Sequence, residues 1–188
     1  MQDVSFISDL INEIEAAYNI DERRIYANGL SNGGGMSYLL ACALPERIAA
    51  IGSVAGAYLL PQETCNPERP VPVIAFHGTA DEIVPYGGGP SEAFDITFPV
   101  VPEWVESWAA HNRCEERMEI PATGKVSGIR YTECRQNADV VFYTIEGGGH
   151  SWPGGEPLPE LIVGPTTDDI KATETMWRFF EEHPLSSP

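Results

Sequence analysis

The feature that most constrains this chain is a serine set between glycines, at the junction of a short apolar segment and an apolar helix. Residues 26–40 read YANGLSNGGGMSYLL, with Ser31 at the centre of a Gly-x-Ser-x-Gly pattern. Between a strand and a helix, this pattern predicts a very tight turn whose central residue takes a strained backbone conformation. Side chains at Gly29 and Gly33 would collide with the strand and the helix, so we expect both glycines to be required.

Two roles are open for Ser31 on this evidence. The turn would lift its hydroxyl above a sheet and aim the next backbone amide, that of Asn32, at a developing oxyanion together with the helix N-terminus. The alternative is a serine whose side chain simply caps the helix that follows. The pentapeptide alone does not choose between them.

Apolar periodicity predicts that strands and helices alternate along the chain. The first predicted helix has an apolar face formed by Ile7, Leu10, Ile11, Ile14 and Tyr18. The later predicted elements are strands at 24–27, 48–54, 71–76 and 140–145, a helix that ends at Pro45, helices at about 103–111 and from about 168, and loops at 61–72, 86–102 and 153–167. This alternation predicts one α/β domain over residues 1–188, with a parallel sheet covered by helices on both faces.

Composition argues against several classes of partner. The chain has 188 residues and a formal net charge of −17, which disfavours binding to nucleic acid or to anionic lipid. No apolar run approaches the roughly 20 residues that a membrane span needs. The cysteines form no C-x-x-C pair and no histidine cluster has zinc-ligand spacing, so we predict neither a metal nor a cofactor.

The four cysteines are even in number and widely spaced, which fits two disulfides. Among the three connectivities, we predict that sequence neighbours pair, Cys42 with Cys65 and Cys114 with Cys134. Bridged cysteines would indicate an oxidising compartment, whereas the alternative is four buried thiols in a cytosolic protein.

If Ser31 is a nucleophile, a histidine must accept its proton. His150 stands in the glycine-rich segment IEGGGHSWPGG, directly after the last predicted strand, at the end of the sheet where ligands bind in such folds. His77 ends an earlier strand in AFHGTADEIVP, and His111 lies on a helix with tryptophans. His183, in the terminal EEHP, is predicted to be solvent-exposed.

The base also needs a carboxylate to orient it. In α/β-hydrolases the three partners follow the chain order Ser, Asp or Glu, His, and Ser31, Asp81 and His150 fit that order. Glu82 competes with Asp81 but lies further from the strand end. His77 precedes the acid, so we expect it to be a structural residue hydrogen-bonded beneath the acid loop.

The motifs GLSNGG, HGTADEIVPY and GGGHSWPGG, with the cysteine placement, resemble the esterase family that contains polyhydroxybutyrate depolymerases and feruloyl and acetylxylan esterases. The similarity extends along nearly the whole chain. It implies Ser31 as nucleophile, Asp81 as orienting acid and His150 as base, acting on feruloyl, acetyl or hydroxyalkanoate esters through an acyl-enzyme. It also implies secretion, and it makes Trp152 an aromatic lining of the substrate site, the alternative being an aromatic that packs the loop.

One departure from the family pattern produces further expectations. Members normally begin with additional strands and a His-Gly loop that supplies a second oxyanion amide, so we expect an α/β-hydrolase fold shortened at the N-terminus. The 24–27 strand would then be an open sheet edge, which predicts self-association. A depolymerase of polyesters, including aromatic ones, and a weak or inactive remnant that serves as a binding or assembly module stay open as alternatives.

Overall fold

The computed structural model describes residues 2–91 and 94–186; residues 92 and 93, in one of the predicted loops, lie outside this range. In chain order the elements are α1 Gln2–Ala17, β1 Tyr26–Leu30, α2 Asn32–Ala43, β2 Ala50–Val54, β3 Val73–Gly78, β4 Gly89–Pro90, β5 Thr97–Phe98, α3 Val101–His111, β6 Glu116–Thr123, β7 Val126–Thr132, β8 Val140–Ile145, α4 Glu160–Val163 and α5 Ala172–Glu182.

The main sheet has the strand order β1-β2-β3-β8-β7-β6. Its first four strands are parallel to one another, and β7 and β6 continue it as an antiparallel hairpin. The mostly parallel sheet is therefore as predicted, but the hairpin was not. All residues of β6 except Ile120 are exposed, so this strand lacks the apolar run that identifies a buried strand.

Helices cover both faces of the sheet, as the alternation predicted. Successive strand residues point to opposite faces, so that Ile51 and Val73 join a core cluster with α2 and α3, while Ala50 and Ile74 join a second cluster with α5. Trp108 of α3 is buried in the first cluster, and its indole N–H donates to the Val71 carbonyl at 2.9 Å. Packing on both faces fixes the sheet whose strand ends position the site.

The first strand begins later than the periodicity predicted. The Asp21 carboxylate accepts a hydrogen bond from the Arg23 amide at 3.1 Å and caps a short 3-10 turn over Glu22–Arg24. The chain becomes extended only after this turn, so β1 spans Tyr26–Leu30 and runs directly into Ser31.

The apolar face of α1 is only partly covered. Ile11 is buried and Ile7 packs against the first core cluster. Exposed apolar side chains remain on α1 at Phe6, Leu10 and Ile14, and directly after the helix at Tyr18. The apolar face of α1 is therefore wider than the part that packs on the core. The strand β1, whose Ala27 packs on the same cluster, is the terminal strand of the sheet in the described part of the chain.

Two disulfides fasten loops to the helical layer. Cys42 of α2 is bonded to Cys65, and Cys114, just after α3, is bonded to Cys134. These are the pairings that we predicted from the sequence. None of the described helices combines the length and the apolar character that a bilayer crossing requires.

Candidate active site

Ser31 occupies the turn between β1 and α2 in a backbone conformation that few residues other than glycine adopt, with φ 57° and ψ −119°. Its amide donates to the Val54 carbonyl at 2.9 Å, and its own carbonyl accepts from the Ala57 amide at 3.0 Å. Its side chain makes no capping hydrogen bond with α2. The capping role that the sequence left open is therefore not the one the hydroxyl performs.

The glycines around the turn are needed at positions partly different from those predicted. A β-carbon at Gly29 would lie 2.5 Å from the Gly33 backbone, but one at Gly33 would meet nothing within 4 Å. The steric argument thus holds for Gly29 and is wrong for Gly33. It applies instead to Gly34, whose β-carbon would lie 2.5 Å from the Ser53 hydroxyl, and to Gly35, whose β-carbon would enter the loop after β2.

Asp81 lies in the loop that follows β3, with its carboxylate removed from solvent. One oxygen, Oδ1, accepts from the amides of Ile83 at 2.9 Å and Val84 at 2.8 Å. The other, Oδ2, lies 2.8 Å from Nδ1 of His150. Glu82, the competing acid, is exposed, so the structure selects Asp81 as the partner of the histidine.

Two backbone amides that hold this carboxylate were not predicted from the sequence. They belong to Ile83 and Val84, two and three residues after Asp81, and form an Asx-type turn. An aspartate at the start of a turn commonly binds the backbone in this way, so the segment ADEIVP carried the signal.

Glycines let the loop after β8, which carries His150, pack closely against the loop after β3, which carries Asp81. A β-carbon at Gly78 would overlap the backbone of Gly148, and the Ala80 amide donates to the Gly148 carbonyl at 2.9 Å. On its other side, the His150 amide donates to the Val163 carbonyl at 2.5 Å. These contacts hold the imidazole at the carboxyl end of the sheet, which is also the end where Ser31 lies.

The environment of Asp81 favours its charged form. Burial by itself raises the pKa of this carboxyl, but hydrogen bonds from His150 and His77, followed by the one from the Val84 amide, outweigh it and lower the pKa to about 2. The group therefore stays ionised at every pH near neutrality, and an imidazolium at His150 would have a fixed counter-charge.

Two atoms at this edge of the sheet are unpaired among the described residues. Neither the Ser31 hydroxyl nor Nε2 of His150 has a hydrogen-bond partner there. The structure thus joins the predicted acid to the predicted base and leaves the serine without a bond to either. Serine–histidine bonds of this kind are often long until a substrate is bound.

The other histidines have structural positions. His77 is buried, with Nε2 2.9 Å from the Val84 carbonyl, as expected for a residue beneath the acid loop. Burial lowers the pKa of the half-buried His111. The expectation that His183 is solvent-exposed is wrong. His183 ends α5, is buried, and its Nδ1 lies 2.6 Å from the Phe179 carbonyl, because the last turn of the helix folds it onto the ring of Phe179.

Trp152 follows the histidine by two residues and is half-buried. Its indole N–H donates to the Thr173 hydroxyl at 3.0 Å, and the ring packs against the core cluster on the α5 side. These contacts favour the packing role that the sequence left open. Contact with a substrate stays a prediction.

Comparison with known proteins identifies the family and supports the fold. A family model described as phospholipase/carboxylesterase matches residues 1–120, a range that includes Ser31 and Asp81 and ends before His150. The chain belongs to this family. The match and the six-stranded sheet confirm the α/β-hydrolase fold.

Relatives of this carboxylesterase-family chain are named as esterases. It is 32% identical to the putative esterase NocK of Nocardia uniformis subsp. tsuyamanensis, over 92% of this chain and 55% of that protein. It is 36% identical to feruloyl esterase B of Piromyces equi, over 82% of this chain and 30% of that protein. The predicted resemblance to feruloyl esterases is thereby confirmed, and the chain spans about a third to just over half of these relatives' lengths.

The fold also resembles a solved structure of low sequence similarity. The crystal structure of a single-residue variant of Arabidopsis thaliana SOBER1 superposes with a TM-score of 0.51 at 15% identity, over 95% of this chain and 62% of that one. The likeness extends over nearly all of the present chain and concerns the arrangement of its sheet and helices.

We expect the ionisation of Asp81 to make the free energy of unfolding depend on pH over a narrow acidic range. Its pKa falls from an ordinary 3.8 to about 2 on folding. Its contribution, roughly 2 kcal/mol, should therefore be complete above about pH 4 and lost as the pH falls through 2. Urea unfolding at pH 5, 3 and 2 would measure this loss in the free energy of unfolding.

The matched control is Asp81→Asn, which has no group to titrate at this position. Subtracting its pH dependence removes the contribution of every other carboxylate. If both proteins lose the same free energy between pH 5 and pH 2, the depressed pKa of Asp81 is contradicted.

Proposed function

We propose that this chain is a serine carboxylic-ester hydrolase in which Ser31 is the nucleophile, His150 the general base and Asp81 the orienting acid. The observation that carries the proposal is the buried 2.8 Å contact between His150 Nδ1 and Asp81 Oδ2. It lies at the same end of the sheet as a strained serine whose hydroxyl has no partner within residues 2–91 and 94–186. An ionised carboxylate whose two oxygens are both hydrogen-bonded, and which orients an imidazole, is the arrangement that activates a serine.

In the first step, Ser31 Oγ attacks the carbonyl carbon of the ester while its proton moves to Nε2 of His150. The resulting tetrahedral oxyanion would be stabilised by the Asn32 amide, which is the first of α2 and has no acceptor within the helix. The C–O bond to the alcohol then breaks as His150 returns the proton to the leaving oxygen.

In the second step, His150 accepts a proton from water, whose oxygen attacks the acyl-enzyme. Collapse of the second tetrahedral intermediate breaks the bond to Ser31 Oγ as His150 returns the proton to that oxygen, which releases the carboxylic acid and restores the serine hydroxyl. Asp81 stabilises the imidazolium in both steps and stays ionised throughout. No metal or cofactor takes part in this scheme.

The substrate class is proposed from the relatives. Proteins named feruloyl esterases match the chain over most of its length, which supports an ester of an aromatic or other small acyl group on a polymer or a soluble alcohol. Trp152 would contact that group. The two disulfides support an extracellular location for the enzyme.

Replacement of the nucleophile should abolish hydrolysis without unfolding the protein. We expect Ser31→Ala to lower the turnover of p-nitrophenyl acetate by at least about 10³, since no other described group replaces the nucleophile. A fluorophosphonate probe should label the wild-type chain and leave the variant unlabelled, and circular dichroism should be the same for both.

The nearby Ser37, whose hydroxyl donates to the Gly33 carbonyl at 2.8 Å, provides the control. Ser37→Ala should retain probe labelling. Equal hydrolysis by wild type and Ser31→Ala would refute the assignment, and absence of labelling in a folded wild-type chain would favour the alternative of an inactive binding or assembly module.

Polyester hydrolysis is a second candidate, and one surface feature favours it. The segment after the histidine loop exposes Leu158, Leu161 and Ile162, with Leu161 fully exposed. The backbone of this segment contacts the site, because Val163 accepts the hydrogen bond of the His150 amide. An apolar surface of this kind beside the base could adsorb onto a solid polymer.

The double variant Leu161→Ser, Ile162→Ser tests this second candidate. If the chain acts on a solid polyester, product release from a polymer film should fall about tenfold while p-nitrophenyl acetate turnover stays within about twofold, because only adsorption is lost. If the double variant releases product from the film at the wild-type rate, a polymer-binding role for these side chains is contradicted.

We also propose that β1 and α1 take part in self-association. In the described part of the chain β1 has a neighbour on one side only. The helix α1, which carries exposed apolar residues, packs through Ile7 and Ile11 on the same core cluster as Ala27 of β1. Unpaired strand groups beside apolar surface readily pair with a second copy.

Light scattering at micromolar concentration should therefore give a mass above that of the 20.5 kDa monomer. Leu10→Lys should return it to a monomer, whereas Asp9→Asn, with the same change in net charge at an exposed position opposite the centre of the apolar face of α1, should leave it associated. A well-folded wild-type monomer at this concentration would contradict the proposal.

A further inference from the structure

His77 is a buried polar side chain that the hydrolytic scheme does not use. It lies at the end of β3, and its side chain is about 1% exposed. Its Nε2 faces two acceptors, the Val84 carbonyl at 2.9 Å and Oδ2 of Asp81 at 3.3 Å. The second of these is the same oxygen that lies 2.8 Å from Nδ1 of His150.

The rest of the imidazole fixes its tautomer. Nδ1 of His77 is buried and has no hydrogen-bond partner among the residues that the structure describes. A hydrogen on Nδ1 would be a buried donor without an acceptor, which is costly, whereas a hydrogen on Nε2 meets two oxygens. The neutral ring therefore carries its hydrogen on Nε2 and donates toward the acid loop.

We propose that His77 is a positioning residue for the catalytic pair, donating from Nε2 to the Asp81 oxygen that also binds His150. Two imidazoles would then share one carboxylate oxygen, while the other oxygen is held by two backbone amides. This inference rests on the proposed role of His150 as base.

Sharing the oxygen has a consequence for the base. A second donor withdraws negative charge from Asp81 Oδ2, so this oxygen attracts the Nδ1 hydrogen of His150 less strongly and stabilises an imidazolium less. His77 would thus weaken the attraction between Asp81 and an imidazolium at His150, and would prevent the carboxylate from rotating away.

The surroundings contain few other groups that could produce such an effect. Tyr86 packs against the edge of His77 with ring centroids 6.0 Å apart, and its hydroxyl bonds to Thr144 at 3.0 Å. Over residues 2–91 and 94–186, no Lys or Arg forms an ion pair with Asp81, and no carboxylate other than Asp81 forms one with His77 or His150.

Two variants of similar side-chain length separate donation from packing. His77→Gln keeps an N–H near the position of Nε2, whereas His77→Met fills similar space without a donor. We expect His77→Met to lower kcat about tenfold with KM within about twofold, and to raise the midpoint of the acidic limb of kcat/KM by about half to one pH unit. His77→Gln should retain at least about a third of the wild-type kcat and the wild-type midpoint.

These outcomes decide the proposal when thermal melting shows both variants folded. An unmoved acidic limb in His77→Met would assign His77 a structural role only and overturn the proposal. Equal impairment of the two variants would also overturn it, because a donor would then have no effect.

A measurement on the unaltered protein covers the case in which a variant does not fold. In protein labelled with 15N-histidine, long-range 1H–15N correlation should show the His77 hydrogen on Nε2, and that hydrogen's chemical shift should follow the titration of His150. A hydrogen on Nδ1, or a His77 signal that ignores the titration, would overturn the proposal. Failure of the hydrolase assignment would instead appear as an unlabelled Ser31 with this spectrum intact.

Discussion

The contact between Asp81 and His150 is the interaction on which the rest of the site depends. A carboxylate without solvent contact is stable only when its oxygens are hydrogen-bonded, and here two amides of the acid loop and the His150 imidazole meet that need. The bond joins segments 69 residues apart in sequence. It locks the loop after β3 to the loop after β8, and the glycines at 78 and 148 allow the two backbones to approach closely enough for it to form.

The strained turn at Ser31 is the complementary local constraint. A residue in so rare a conformation costs on the order of 1–3 kcal/mol and persists only when its surroundings hold it. Here the amide and the carbonyl of Ser31 are both bonded to the β2 strand end and the loop after it, and Gly34 and Gly35 let α2 pack against that loop. The parallel pairing of β1 with β2 thus maintains the geometry that exposes the hydroxyl.

Prediction from sequence succeeded where the signal was strong and local. The apolar runs of β2, β3 and β8 are largely buried, so each appeared as a continuous hydrophobic segment close to its true bounds. The hairpin of β6 and β7 carries many exposed side chains and gave no such run. His183 looked like part of a solvated tail because its neighbours Glu181 and Glu182 are charged, yet the end of α5 folds it inward. Burial of a single side chain depends on what packs over it, and local composition does not contain that information.

The sequence by itself determined the chemistry available to this protein: a serine in a glycine turn, a histidine in a glycine-rich loop, and the chain order of serine, acid and histidine. The tertiary structure alone decided that Asp81 and not Glu82 contacts His150, that Ser31 does not cap its helix, and that His77 faces the same carboxylate oxygen as the base. Turn residues act over a few positions and can be read along the chain. Contacts between strand ends depend on the sheet order β1-β2-β3-β8, which no local pattern encodes.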